Sequence, residues 1–222
     1  MNREKFLRQL EEAIEAGEEE KAPRLARRLL DLGVDPAEIT DALSRAMSRL
    51  GEEFHRLDIF VPDLLIAADA FEAVMQIVAP ALLESGSRAE DKGAVVIGVV
   101  EGDIHSLGKD LVRVMLAADG FHVHDLGRDV KAGRFLEVAR EHDAAIIALS
   151  SLMTTTMGQM KEVVDLLSRE GLRDHYKVIV GGAPITQQFA DIIGADGYAE
   201  DAPGAVALAN RLVAAGRRSG NS

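Results

Sequence analysis

Seven residues, Ala94-Val95-Val96-Ile97-Gly98-Val99-Val100, form an almost unbroken apolar, β-branched run. A run this short with polar boundaries reads as a strand covered on both faces, the situation of a strand inside a parallel sheet. Parallel strands need long crossover connections, and the following sequence supplies them. Helical spacing covers about 109–119 (Leu111, Val112, Met115, Leu116), then strand and helix patterns alternate: a strand at 121–125, a helix near 131–142 and a strand at 144–149. A helix over 157–170, a strand at 177–180, a short helix at 186–193, a strand at 197–199 and a final helix at 203–215 complete the series. The alternation predicts a five-stranded parallel sheet with helices on both faces.

In the flavodoxin-like (Rossmann-like) strand order 2-1-3-4-5, the switch point lies between strands one and three, and ligands bind outside the carboxyl ends of the strands there. The loop after strand one reads Gly102-Asp103-Ile104-His105-Ser106-Leu107-Gly108, and the loop after strand three runs from Ser150 to Thr156. Both polar loops therefore converge on that crevice. Asp103 is placed to hold one imidazole nitrogen of His105 while the other faces outward, which is how a metal-ligating histidine is oriented and made more basic. Gly108 lets the backbone turn tightly or come close to a ligand. Taken alone, the Asp-x-His pair also suits a polar loop or a catalytic dyad.

Residues 1–83 read as helical. Phe6, Leu7, Leu10 and Ile14, then Ala22, Leu25, Leu29 and Leu30, recur at helical spacing. Gly33 closes the second helix, and Asp35-Pro36 caps and starts the third, which carries Ile39, Leu43, Met47 and Leu50. A fourth helix starts near Val61-Pro62. The prediction is an up-down four-helix bundle. The connection to the fourth helix is unusually apolar (Phe54, Leu57, Ile59, Phe60, Val61): these side chains either close the bundle's end or face something apolar outside it. Residues 84–93 are small, polar and charged and read as a linker, which leaves 94–222 as the second domain.

Asp103-x-His105-x-x-Gly108 resembles the signature of the cobalamin-binding domain. Ser150-x-Leu152 and Gly181-Gly182 are similar to two further elements of that family, in the same order. Residues 47–54 and 60–65 resemble the helical cap of corrinoid methyltransferase proteins, as in the cap and cobalamin-binding modules of methionine synthase. The resemblance implies a bound cobalamin or related corrinoid in its methylcobalamin form, with His105 as lower axial ligand of cobalt and the cofactor's own nucleotide base displaced. Gly102, Asp103, Ile104, Ser106, Gly108, Ser150, Leu152, Thr154, Gly181, Gly182 and Ala202 would line the lower face and the nucleotide channel, with Gly98 also leaving volume. Phe54, Val61 and Leu64 would meet the upper face. Thr156 would complete a proton network with Asp103 and His105, in which Asp103 shares the proton gained when His105 leaves cobalt.

Composition narrows the function. A net charge of −12 gives no basic patch for phosphates, and two Tyr with no Trp give no stacking platform, so nucleic acid is excluded as a partner. The absence of cysteine removes disulfides and thiolate metal sites. No apolar run is read as membrane-spanning, and Met1-Asn2-Arg3-Glu4 starts no signal peptide, so no membrane association and a cytoplasmic location are expected. His122 and His124 share a strand face without a third ligand, His55 lies near the cap loop, and His142 and His175 read as solvated helix ends. Met153, Met157 and Met160 read as core.

The expected function is a corrinoid methyl carrier, its cobalt cycling between Co(I) and methyl-Co(III). It would turn over only with a donor-specific methyltransferase, an acceptor methyltransferase and a reductive activase. The alternative is a cobalamin-dependent sensor; such regulators carry a cap tryptophan and a DNA-binding module, and this chain, without Trp, is expected to have neither. A mutase small subunit would lack the helical first 83 residues.

Overall fold

The computed structural model describes residues 2–85 and 92–219. The chain divides into two compact units, with the main division at Asp91/Lys92. The proposed linker falls largely on residues 86–91, outside the described residues.

The first unit consists of α1 (Asn2–Glu15), α2 (Lys21–Asp31), α3 (Pro36–His55) and α4 (Val61–Ser85). Gly33, with φ +71°, follows the end of α2, and the Asp35 side chain accepts a hydrogen bond from Ala37 N ahead of Pro36. Leu10, Ile14, Leu29, Ile39, Leu43, Met47 and Leu64 fill the bundle core. The order around the bundle differs from a sequential up-down arrangement. α1 packs chiefly on α2 and α3, and α4 on α3 and α2, whereas α2 and α3 scarcely touch. Amphipathic stripes define which face of a helix is covered but not by which neighbour, so this order is not readable from spacing.

α4 also corrects the reading of apolar runs. Its segment Val61–Leu82 is long and apolar enough, by length and composition, to cross a membrane. It carries Asp63, Asp69 and Glu72 and turns Leu64, Ala67, Ala70, Phe71, Val74 and Val78 inward, the pattern of a helix packed by one face into a bundle.

The second unit alternates β1 (Ala94–Val99), α5 (Leu107–Ala118), β2 (His122–Asp125), α6 (Ala132–Glu141), β3 (Ile146–Ser150), α7 (Gly158–Arg169), β4 (Lys177–Gly181), α8 (Gln187–Ile193), β5 (Gly197–Ala199) and α9 (Ala202–Ser219). The sheet is fully parallel with order β2-β1-β3-β4-β5, as the sequence predicts. Side chains alternate between its faces. Val96, Ile147, Leu149, Val178 and Val180 pack with α6, α7 and α8, while Val95, Ile97, Ile146, Ala148 and Ile179 pack with α5 and α9. Burial on both faces is why these strands read as continuous apolar runs. Two ends differ from expectation: α5 begins at Leu107, which takes Gly108 into its first turn, and Phe121 is a core residue just ahead of β2.

Candidate functional site

β1 and β3 are neighbours in the sheet, with Val99 opposite Ser150. Their carboxyl ends deliver the two polar loops side by side, and Asp103 joins them. Gly102 turns the chain with φ +83°, and Asp103 lands fully buried behind it. Its Oδ1 accepts hydrogen bonds from the His105 backbone N (3.0 Å) and pairs with His105 Nδ1 at 2.8 Å. Its Oδ2 accepts from the backbone N of Leu152 (2.7 Å) and Met153 (3.2 Å) and lies within reach of the hydroxyls of Thr156 (3.1 Å) and Ser151 (3.2 Å).

Burial by itself would raise the carboxyl pKa of Asp103. The donors from His105, Leu152 and Thr156 outweigh it and hold the group well below the usual carboxylate range. An ionised Asp103 fixes the proton of neutral His105 on Nδ1 and leaves the Nε2 lone pair directed outward. The donors gathered on Asp103 favour its ionised form.

Other segments hold this geometry. Gly182 has φ +125°, and a Cβ there would stand 1.9 Å from Ser151 O. Only glycine lets β4's exit lie against Ser151, whose N–H donates to Gly181 O (3.2 Å), and keep the N–H groups of Leu152 and Met153 aimed at Asp103. On the opposite side, Asp129 accepts from Gly102 N (2.7 Å) and donates its own N–H to Asp103 O (3.0 Å). Arg128 Nη1 lies 3.5 Å from Ile104 O. Behind α5, the buried Lys109 ammonium pairs with Asp125 and Asp110. Asp129, Lys109 and Ser151 are absent from the sequence-based site. Ser151 falls within the polar 150–156 loop that the sequence brings to the crevice, and the Gly127-Arg128-Asp129 turn composition points to Asp129.

Of the residues expected at the site, Asp103, His105 and Thr156 come together as one network. Gly102, Ile104, Ser106, Ser150, Leu152, Thr154, Gly181 and Gly182 lie in or beside the same loops, and Ala202 is buried at the start of α9. Ser150 is half-buried at the end of β3, and the hydroxyl on the network is that of its neighbour Ser151. Gly98 opens no channel, because its missing Cβ would stand 2.9 Å from the Phe135 ring. In the helical unit Leu64 is fully buried and Phe54 and Val61 are half-buried; the large apolar side chains exposed there are Leu32, Leu57, Phe60 and Ile66.

Within the second unit the remaining histidines do not join the Asp103–His105 network. His142 is not merely solvated, since its ring stacks on His124 with centroids 3.6 Å apart, and His175 meets Tyr176 edge-on. Met160 is core and Met157 packs against it, whereas Met153 is exposed.

The His105 side chain is 48% exposed and rimmed by Ile104 (64%), Leu107, Leu152 and Met153, all exposed apolar residues. Among the described residues no group of three His, Cys, Asp or Glu side chains converges to hold an ion. A metal met here by one imidazole would have to bring its other ligands with it, and the exposed apolar side chains near His105 suit a ligand with an apolar face. A corrin fits that description.

A family model described as a B12 binding domain matches residues 93–207, and a second with the same description matches residues 6–79. The chain belongs to the B12-binding family. This B12-binding chain is 42% identical over 213 residues to dimethylamine corrinoid protein 2 of Methanosarcina acetivorans, covering 96% of this chain and 98% of that one. It is 43% identical to trimethylamine corrinoid protein 1 of the same organism, over 90% of this chain and 94% of that one. Among solved structures, the methanol:cobalamin methyltransferase complex MtaBC from Methanosarcina barkeri matches with a TM-score of 0.83 and 32% identity, over 95% of this chain and 80% of that one. The cofactor of this B12-binding chain is accordingly a cobalamin or related corrinoid.

Proposed function

We propose that the protein is the methyl carrier of a corrinoid-dependent methyltransferase system, with His105 as the protein ligand to cobalt and a methylated amine or alcohol as donor. The observation that carries the reading is the similarity, over 96% of the chain and 98% of the relative, to a dimethylamine corrinoid protein. The match spans both units, so it covers the helical segment as well as the sheet. The regulatory alternative is not favoured, since the relatives are corrinoid proteins named for methylamines. The donor class rests on relatives named for dimethylamine and trimethylamine and on a structure named for methanol.

The bound corrinoid supplies the chemistry, accepting and releasing a methyl group at cobalt. The chain's residues do the rest. His105 presents Nε2, Asp103 fixes its tautomer, and Ile104, Leu107, Leu152 and Met153 give the macrocycle an apolar seat. The side-chain network described here is spent on orienting one imidazole, which supports a carrier that relies on a donor-specific methyltransferase, an acceptor methyltransferase and a reductive activase.

The test supplies reduced holoprotein with methanol, methylamines or no donor, with and without a candidate methyltransferase, and follows the corrinoid absorption spectrum. Methylation of the corrinoid only when the methyltransferase is present is the expected result. Multiple turnovers by the isolated protein would overturn the carrier reading.

A further inference from the structure

Two hydroxyls meet Asp103 where the sequence motif leads one to expect one. Ser151 Oγ is buried and lies 2.8 Å from Thr156 Oγ1. Each oxygen also reaches the same two acceptors: Asp103 Oδ2, at 3.2 Å for Ser151 and 3.1 Å for Thr156, and Met153 O, at 3.2 and 3.1 Å. Each hydroxyl has a single proton and rotates to suit its acceptors. At the short separation between them, one hydroxyl donates to the other, and the second donates to an acceptor. The negative oxygen is the stronger of the two acceptors, so the chain of hydrogen bonds ends on Asp103 whichever hydroxyl leads.

We infer that Ser151 is a second, interchangeable positioning residue for His105, so that Asp103 keeps a side-chain O–H donor as long as either Ser151 or Thr156 retains its hydroxyl. The inference rests on the reading of His105 as the cobalt ligand. With both hydroxyls gone, Oδ2 keeps only the N–H groups of Leu152 and Met153. Charge on the carboxylate then shifts toward Oδ1 and strengthens its bond to His105 Nδ1, which makes Nε2 the better donor. Losing one hydroxyl leaves that balance close to where it stands, because the other takes over the bond.

The experiment compares parent, Ser151→Ala, Thr156→Val and the double variant, each as reconstituted holoprotein. The ratio of histidine-ligated to unligated cobalt(II) is read by electron spin resonance with nitrogen-15 histidine. A charge-assisted hydrogen bond carries enough free energy to change such a ratio about tenfold. The expected result is a change of less than about twofold in each single variant and a rise of about tenfold in the double. Ser151→Ala/Thr156→Ser restores one hydroxyl and is expected to return to the parent ratio; it also serves if the double variant does not fold, with Ser151→Ala/Thr156→Ala as its partner. The full change in Thr156→Val alone, additive single effects, or an unchanged double variant would each overturn the inference. His105→Gly separates the two readings. Labelled-histidine splitting that survives there overturns the ligand assignment and this inference together, whereas splitting lost there with additive singles overturns this inference only.

Discussion

Asp103 Oδ1 and His105 Nδ1 lie 2.8 Å apart, with the carboxylate sealed from solvent and the imidazole half-open to it. The asymmetry assigns the roles. Asp103 is buried and hydrogen-bonded through both carboxylate oxygens, and His105 is the group left open to something outside the fold.

The donors around Asp103 make its charge a stability element. Asp103→Asn puts an amide among groups arranged to donate, and should cost about 3 kcal/mol, read as a lowered urea midpoint of the apoprotein near neutral pH. The sign of the pH dependence follows from the lowered pKa. A depressed folded-state pKa contributes stability that is complete above the unfolded value and is lost as pH falls through the folded one. The gap between parent and variant should therefore narrow as pH falls below about 4. A gap that keeps its full size well below that pH would contradict the assignment.

Gly182 should tolerate no side chain. At φ +125° an alanine is strained, and its Cβ would overlap the Ser151 carbonyl. Gly182→Ala should destabilise the apoprotein by about 3 kcal/mol. Because residues 151–153 must retreat, it should also expose the amides of Leu152 and Met153 to hydrogen exchange. Preserved protection at those two amides would show that the close approach is not what aligns them.

In the helical unit, Glu11 accepts from Arg45 (2.7 Å) and Arg49 (2.7 Å) and so ties α1 to α3. Burial raises the Glu11 pKa, but the two guanidinium hydrogen bonds lower it further, and the net shift is downward. The Glu11 carboxylate is mostly covered, but both guanidinium groups are about half open to solvent, so Glu11→Gln should cost only about 1 kcal/mol. That cost should shrink in high salt and vanish as pH falls below about 4. Urea midpoints at two salt concentrations measure it, and a salt-independent loss would point to packing instead.

Much of this was legible in the chain. The parallel sheet follows from doubly buried strands alternating with helices, and the meeting of the β1 and β3 loops follows once the flavodoxin-like strand order is adopted. Asp103, His105 and Thr156 announced themselves by motif. Ser151 did not, because successive residues at a strand's end point opposite ways, and sequence does not reveal whether position 150 or 151 turns toward Asp103. Asp129 was hidden for a different reason: its bond to Gly102 spans 27 residues and depends on a backbone at φ +55°. Gly98 misled because a small residue in a strand signals space equally for a ligand or for an aromatic ring, and Phe135 had already filled it.

Gly108 separates the needs of the fold from those of the ligand. It lies in the first turn of α5 and does not take a positive φ, and a Cβ built there would meet nothing within 4 Å. The tight-turn reading of this glycine is thereby removed. In a helix, glycine costs about 1 kcal/mol relative to alanine, so the protein carries a penalty with no return inside its own packing. If Gly108 leaves clearance for a body lying outside the protein beside His105, the two properties, stability and binding, should separate on substitution. Gly108→Ala should therefore raise the urea midpoint of the apoprotein while weakening uptake of cobalamin, followed by equilibrium titration of the corrinoid absorption band. Opposite signs for stability and binding are the expected outcome. If the variant gains stability and binds cobalamin as the parent does, the clearance at Gly108 has nothing to do with the corrin.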